Sequence, residues 1–176
     1  VVTRRQRQMC IRDRRDGVLE RAIPGQELGM TLRVLADGAW GVHSTTDIAS
    51  LADQIEPTTR LAKAVAQRRS PGERPKALAE VPIIEDETHW RSTLDVRHTE
   101  LDEKMNLMND LYRGATGHDD IVSVRTGWSD EHIHTELMTT EGMDRVWSFQ
   151  RSLIHGMVTA RRDGEVVSYR TCLLYT

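Results

Sequence analysis

The sequence predicts an α+β fold (mixed α/β). It reads as an antiparallel or mixed sheet of hairpins and a C-terminal meander, covered by two helices. Three observations carry this. Apolar and polar residues alternate in several short runs, the period of a half-buried strand. Asp37-Gly38 and Asp163-Gly164 stand between such runs, and both residue types tolerate the positive φ of a two-residue hairpin turn. Two stretches, within residues 48–68 and 99–114, space their apolar residues for one face of a helix.

In chain order, residues 18–22 read as the tail of a strand. Residues 28–35 form a clearer one, with Leu28, Met30, Leu32 and Val34 on one face. Residues 39–46 return as its hairpin partner, with Trp40 and Val42 together. Gly41 there has no side chain, so something is expected to pack closely against it. Asp47 is the expected N-cap of a first helix. Its apolar stripe is Leu51, Ile55, Leu61, Ala62, Val65 and Ala66, and Pro57 either kinks it or opens a second helix. Residues 70–82 hold three prolines and read as a surface connection. No structure is predicted for 83–98. The second helix starts from Thr99 with Asp102 as an approximate capping box. Leu101, Met105, Met108 and Tyr112 form its stripe, Glu100 and Lys104 an i,i+4 ion pair, and Gly114 its stop. The meander follows. Val122, Val124, Thr126 and Trp128 alternate, and Ser129-Asp130-Glu131 is read as a turn. Ile133, Thr135 and Leu137 alternate, and Glu141-Gly142 turns. Met143, Trp147 and Phe149 share a face. Residues 153–160 make another strand, and residues 165–170 lead out after Asp163-Gly164.

The two ends look like one piece of DNA read on opposite strands. Met9-Cys10-Ile11-Arg12-Asp13 back-translates as ATG-TGT-ATA-AGA-GAC. Its reverse complement, shifted in frame, reads TGT-CTC-TTA-TAC-ACA, which is Cys172-Leu173-Leu174-Tyr175-Thr176. The repeat resembles a transposon mosaic end from sequencing libraries. Residues 1–14 and 172–176 are therefore expected to be translated adapter, and residues 15–171 one domain truncated at both ends. Such scars are set aside before fold reasoning.

This changes what composition implies. Both cysteines, Cys10 and Cys172, fall in the suspect ends, so neither a disulfide framework nor a cysteine zinc site is argued from the rest. Five arginines against Asp13 leave the first fourteen residues at +4, so the remainder stands at −7 against −3 for the whole chain. An acidic body argues against binding a phosphate backbone, and no nucleic acid is expected. No apolar run approaches the ~20 residues that span a bilayer, so no membrane partner is expected. No secretory leader is recognisable, and a cytoplasmic setting is expected.

Residue chemistry offers no convincing active site, and no catalytic, cofactor-binding or metal residue is assigned. His132 and His134 lie two apart on a strand with Glu136 next on that face, a spacing that suits metal ligands. The preferred reading is a solvated strand face. His43, His89, His98, His118 and His155 are scattered singles. No histidine is directly followed by glutamate, which excludes any His-Glu-x-x-His helix. There is no glycine-rich phosphate loop and no Gly-x-Ser-x-Gly elbow. Glu85-Asp86-Glu87 and Asp119-Asp120 read as loop or helix-start residues. Trp40, Trp128 and Trp147 fall on apolar strand faces and are expected to be buried, which leaves Trp90 as the freest candidate for a binding surface.

The order of segments is more telling than any single motif. Gly29-Met30-Thr31-Leu32-Arg33-Val34 running through Asp37-Gly38 to Gly41-Val42-His43-Ser44-Thr45 resembles the signature hairpin of the TldD/PmbA family, also called modulators of DNA gyrase or TldD/TldE metallopeptidases. Ile121-Val122-Ser123-Val124, then Thr139-Thr140-Glu141-Gly142, then residues 157–167 are similar to later segments of the family in the same order. The resemblance spans roughly residues 17–170. It implies the N-terminal domain of a larger zinc peptidase that works as a homo- or heterodimer enclosing a chamber, where unfolded peptide binds as an added strand. The family's zinc sits on a His-Glu-x-x-x-His helix and a later cysteine. None of these matches a residue of this chain, so zinc is expected in the parent protein, outside this chain, and no activity is expected from the chain alone. His43 departs from the family, which has an aromatic or apolar residue there. Two alternatives stand beside this reading. The parent is a non-catalytic partner subunit of the TldE type, acting as scaffold, or the chain is an unrelated binding module.

Overall fold

The computed structural model describes residues 1–70, 72–89 and 95–175, with Tyr175 as backbone only. The fold is α+β and mostly strand. In chain order the elements are β1 (Val2–Arg15), β2 (Val18–Ala36), β3 (Ala39–Thr45), α1 (Leu51–Gln67), β4 (Glu85–His89), α2 (Leu101–Ala115), β5 (Ile121–Met138), β6 (Asp144–Arg162) and β7 (Glu165–Tyr175). The strands pair in the order β3-β2-β1-β5-β6-β4, and β7 also pairs with β6. Three tight turns, Asp16-Gly17, Asp37-Gly38 and Asp163-Gly164, hold both residues at positive φ (50 and 82°, 51 and 74°, 51 and 86°). That is the mirror-image turn whose twist matches its flanking strands.

The chain divides into two compact units. The first comprises residues 1–6, 27–89 and 134–148, the second residues 7–26, 90–133 and 149–176.

In the first unit β2 and β3 pair antiparallel, with Val34 opposite Gly41 and Leu32 opposite His43. Met30, Leu32, Ala39 and Gly41 face inward. α1 lies on β3 because Gly41 leaves room: a Cβ there would overlap the Thr58 carbonyl oxygen and press on Ala62. The expected close approach at Gly41 is thus made by α1. The helix buries Thr58 and Ala62, small residues that suit a glycine, while Ile55, Leu61 and Val65 stay about half exposed. The predicted stripe therefore includes Ala62 but not Thr58, because the contact selects for small size rather than hydrophobicity. Thr58 enters the interface because its hydroxyl donates back to the Gln54 carbonyl (2.6 Å). Pro57 sits inside one continuous helix. The helix begins at Leu51 with Ser50 as N-cap, not at Asp47. Asp47 instead closes a turn before it, accepting the Ala49 N–H at 3.2 Å. Trp40 lies on the outer face of β3, half-buried under the Arg33 guanidinium 4.7 Å from its ring. β4, which falls where no structure was expected, pairs parallel with β6 from Glu85 opposite Asp144 to His89 opposite Ser148. Its Asp86 accepts both arms of Arg145 at 2.7 and 3.1 Å.

In the second unit α2 packs Met108, Met105 and Leu111 on Trp128 of β5 and Ile154 of β6. Burying side chains of this size contributes about 1.5–3 kcal/mol each. Here β6 and β7 pair antiparallel from the Asp163-Gly164 turn, with Arg162 opposite Glu165. α2 starts one residue later than the capping-box reading, at Glu100 as N-cap, and Thr99 donates back to the Asp95 carbonyl at 2.9 Å. It passes through Gly114 and ends with Thr116 as C-cap. Ser129-Asp130-Glu131 is not a turn: β5 runs through it, and β6 is likewise one strand where two were expected. The polar triplet mimics a turn in sequence, but Asp130 and Glu131 are both buried, Asp130 by partners described below. Burial along β5 changes phase at that point. Val124, Thr126, Trp128 and Asp130 are buried first, then Glu131, Ile133 and Thr135. Trp90 and residues 91–94 lie outside the described residues.

Replacing Gly41 by alanine should lower stability by about 1–3 kcal/mol or more, because two backbone atoms must give way. Gly29→Ala, where nothing lies within 4 Å of the added carbon, is the control and should stay close to neutral. Urea midpoints at constant slope check both, and equal shifts would rule out the α1–β3 contact as the cause.

Candidate functional site

The most unusual chemistry of the second unit is a charged cluster beneath α2. Asp130 of β5 and Lys104 of α2 are 4% and 8% exposed. The Lys104 ammonium donates to Asp130 Oδ2 at 2.5 Å and to the Val96 carbonyl at 2.7 Å. The other Asp130 oxygen accepts Trp128 Nε1–H at 2.5 Å and the Ser152 hydroxyl at 2.6 Å. The Trp128 ring lies 6.0 Å from the ammonium. Val96 is further fixed by its own N–H, which donates to Gln150 Oε1 at 3.2 Å. Each residue is where its element puts it. Lys104 lies one turn before Met108 on the buried face of α2. Trp128 and Asp130 share a strand face, and Ser152 and Gln150 share one on β6.

Burying two charges is unfavourable unless each is paired and hydrogen-bonded, and here both are. The cluster therefore works as a clamp that ties the segment before α2, the helix and both strands together. It borders an open pocket of about 240 Å³, lined also by Gln8, Met9, Cys10, Arg97 and His132. At the mouth, Arg97 holds Asp95 with both arms (3.1 and 2.8 Å) and its backbone N–H (3.0 Å). These bonds draw the Asp95 carboxyl well below the usual range, against a smaller opposing effect of desolvation.

The residues singled out from sequence disperse. His132 lines the pocket. In the first unit His134 meets Glu136 at 3.2 Å, and Glu136 also takes Arg4 at 3.0 Å. Among the described residues no group of three His, Cys, Asp or Glu side chains could hold a metal ion. His89 bridges Ser148 (2.6 Å) and Glu87 (2.7 Å). His98 lies 3.2 Å from Asp95 and His155 3.9 Å from Asp13. His43 is half-buried and His118 exposed. Glu85, Asp86 and Glu87 belong to a strand, not a loop, and Asp120 pairs with Arg162. Of the tryptophans, Trp128 is buried while Trp40 and Trp147 are half-buried. Sequence reasoning missed Lys104, Asp130 and Ser152. The sequence spacing pairs Lys104 with Glu100 at i,i+4, whereas the fold pairs it with Asp130. The available signal was its position between Leu101 and Met108 on the apolar face, where a lysine needs a buried anion. Among the described residues no helix is long and apolar enough to cross a membrane.

Lys104→Met should cost about 3–5 kcal/mol by leaving Asp130 buried and uncompensated. Adding Asp130→Asn, which keeps an acceptor for Trp128 and Ser152, should recover most of that loss. A double-mutant cycle read by chemical denaturation checks it, and strict additivity would exclude the ion pair as the source. Asp95 gives the acid-side test. Its folded carboxyl titrates below the ordinary 3.8, so its pairing stabilises at higher pH and that contribution fades as pH falls below 3.8. The gap between wild type and Asp95→Asn in thermal melting should be flat above about pH 5 and close on further acidification.

Two domain models of one protein family match the chain: "PmbA/TldA metallopeptidase domain 1" over residues 13–67 and "PmbA/TldA metallopeptidase central domain" over residues 94–171. No curated protein matches it at significance. Among solved structures, a candidate modulator of DNA gyrase from Thermotoga maritima superposes with a TM-score of 0.73 at 17% identity, covering 98% of this chain and 38% of that one. A candidate modulator of DNA gyrase from Bacteroides thetaiotaomicron gives 0.74 at 16%, covering 98% and 40%. TldE from Thermococcus kodakarensis gives 0.63 at 14%, covering 98% and 39%. At such identities the likeness is one of fold. The chain spans at most 40% of the length of these structures.

Proposed function

Since the chain belongs to the PmbA/TldD metallopeptidase family, we propose that it supplies the chamber-forming, peptide-holding part of a TldD-like zinc peptidase. The observation that carries this is the paired match to the family's first and central domains, in order along one chain. Hydrolysis of unfolded peptides would belong to a further C-terminal domain of the parent, where zinc would lower the pKa of a bound water and a glutamate would serve as base. This chain's contribution is to hold an extended peptide by backbone hydrogen bonds, a mode that tolerates many sequences. β3 supports that role, because it ends the strand order and is short and rigidly backed by α1. A dimeric partner of the TldD/TldE type and a cytoplasmic setting belong to the same proposal.

The likeness to a TldE favours a second reading, in which the parent is a non-catalytic partner subunit with the same fold. The reading frame beyond residue 171 separates the two. A His-Glu-x-x-x-His helix and a later cysteine would support the peptidase, and a similar domain without them the scaffold. An unrelated downstream domain would overturn both. The same reads test the proposal that residues 1–14 and 172–176 are translated adapter. At the C-terminus it is supported by a family match that ends at residue 171, whereas the first-domain match begins at residue 13, inside the N-terminal stretch; it fails if Met9 to Asp13 persist in intact genomic sequence. The isolated chain, supplied with zinc, should not hydrolyse unfolded peptides, and a turnover abolished by chelator would refute this division of labour.

A further inference from the structure

We propose that residues 77–84 are a proteolytic processing site, open to endopeptidases that take extended, apolar chain. The inference rests on exposure and hydrogen bonding and is independent of the peptidase reading of the parent. Every residue from 72 to 85 is exposed. Leu78, Val81, Ile83 and Ile84 present apolar side chains to water at 43, 60, 60 and 38% exposure. The segment is pinned at its ends. Lys76 N–H donates to the Gly38 carbonyl at 2.7 Å, and the Ile84 carbonyl accepts the Asp144 N–H at 3.2 Å. Between these points, among the described residues, no backbone hydrogen bond and no helix or ladder holds it.

A peptidase binds its substrate as an added strand, which requires free backbone donors and acceptors over several residues. Most of a folded chain offers this only after local unfolding, at a free-energy cost. Residues 77–84 offer it in the native state, with apolar side chains for the cleft. Hydrolysis there adds one water across the peptide bond: the hydroxyl goes to the acyl carbon, and the proton to the departing amine.

The position gives the cut a consequence. The stretch matched to the family's first domain lies on one product and the central-domain stretch on the other. The products remain bound. Within the second unit, Asp16 N–H donates to the Val124 carbonyl and Val124 N–H donates back to Asp16 Oδ1, both at 2.8 Å. Cleavage thus separates the two stretches covalently without dissociating the protein.

The test is limited digestion of the full chain by thermolysin, which cuts before Leu, Ile and Val. Intact masses should place the first cut within residues 77–84, and both pieces should co-elute on native size exclusion. A first cut elsewhere, or immediate separation of the pieces, overturns the proposal. So does a cutting rate that rises with urea in step with global unfolding, because the segment would then open only with the whole fold. A Leu78→Asp, Val81→Asp, Ile83→Asp variant should melt as the parent does and be cut more slowly by about tenfold or more, as an apolar pocket rejects the carboxylates. An unchanged rate would also overturn it.

Discussion

A carboxylate buried in the middle of a strand is the constraint from which the second unit follows. Asp130 has little water and must receive donors from whatever surrounds it. It takes them from three elements: Lys104 on α2, Ser152 on β6 and Trp128 two residues back on β5. Each donor fixes a position. The lysine sets the rotation of α2 and places Met108 over Trp128 and Ile154. Its second bond, to Val96, sets where the chain enters the helix. Apolar packing alone would tolerate small slips of α2 along the sheet. A hydrogen-bonded ion pair does not, since any slip leaves a charge without a partner.

The first unit solves the same docking problem with space instead of charge. Gly41 opens a slot, and Thr58 and Ala62 are small enough to enter it. The helix backbone then lies directly on the strand. One unit is thus specified by polar groups that must meet and the other by an atom that must be missing.

This difference explains what was legible in the sequence. The Asp-Gly hairpins, the existence of both helices and the close approach at Gly41 could be read because each is a local signal with a local cause. The order of segments pointed to the family although no single motif was strong. Helix faces were harder. α1 turns its small residues inward, so a hydrophobicity count favoured Leu61 and Val65 over Thr58. Lys104 and Asp130 looked like surface charge because their meaning depends on each other, across twenty-six residues of chain. Ser129-Asp130-Glu131 has the composition of a turn, and only the tertiary partners of Asp130 and Glu131 make it a strand. β4 was unreadable for the same reason: Glu-Asp-Glu-Thr-His has little strand propensity and is held by its pairing with β6.

The phase change in β5 bears on how this fold can vary. A strand with one buried face tolerates many exchanges along its other face. β5 has no such face through its middle, because the inward side passes from even to odd positions between Asp130 and Glu131. Side chains on a strand alternate strictly, so inserting or deleting one residue there would turn one half inside out while leaving the other in register. Homologues can therefore drift far in identity along β5, yet length changes should collect in the turns on either side of it, and the spacing from Val124 to Thr135 becomes a ruler for aligning distant relatives.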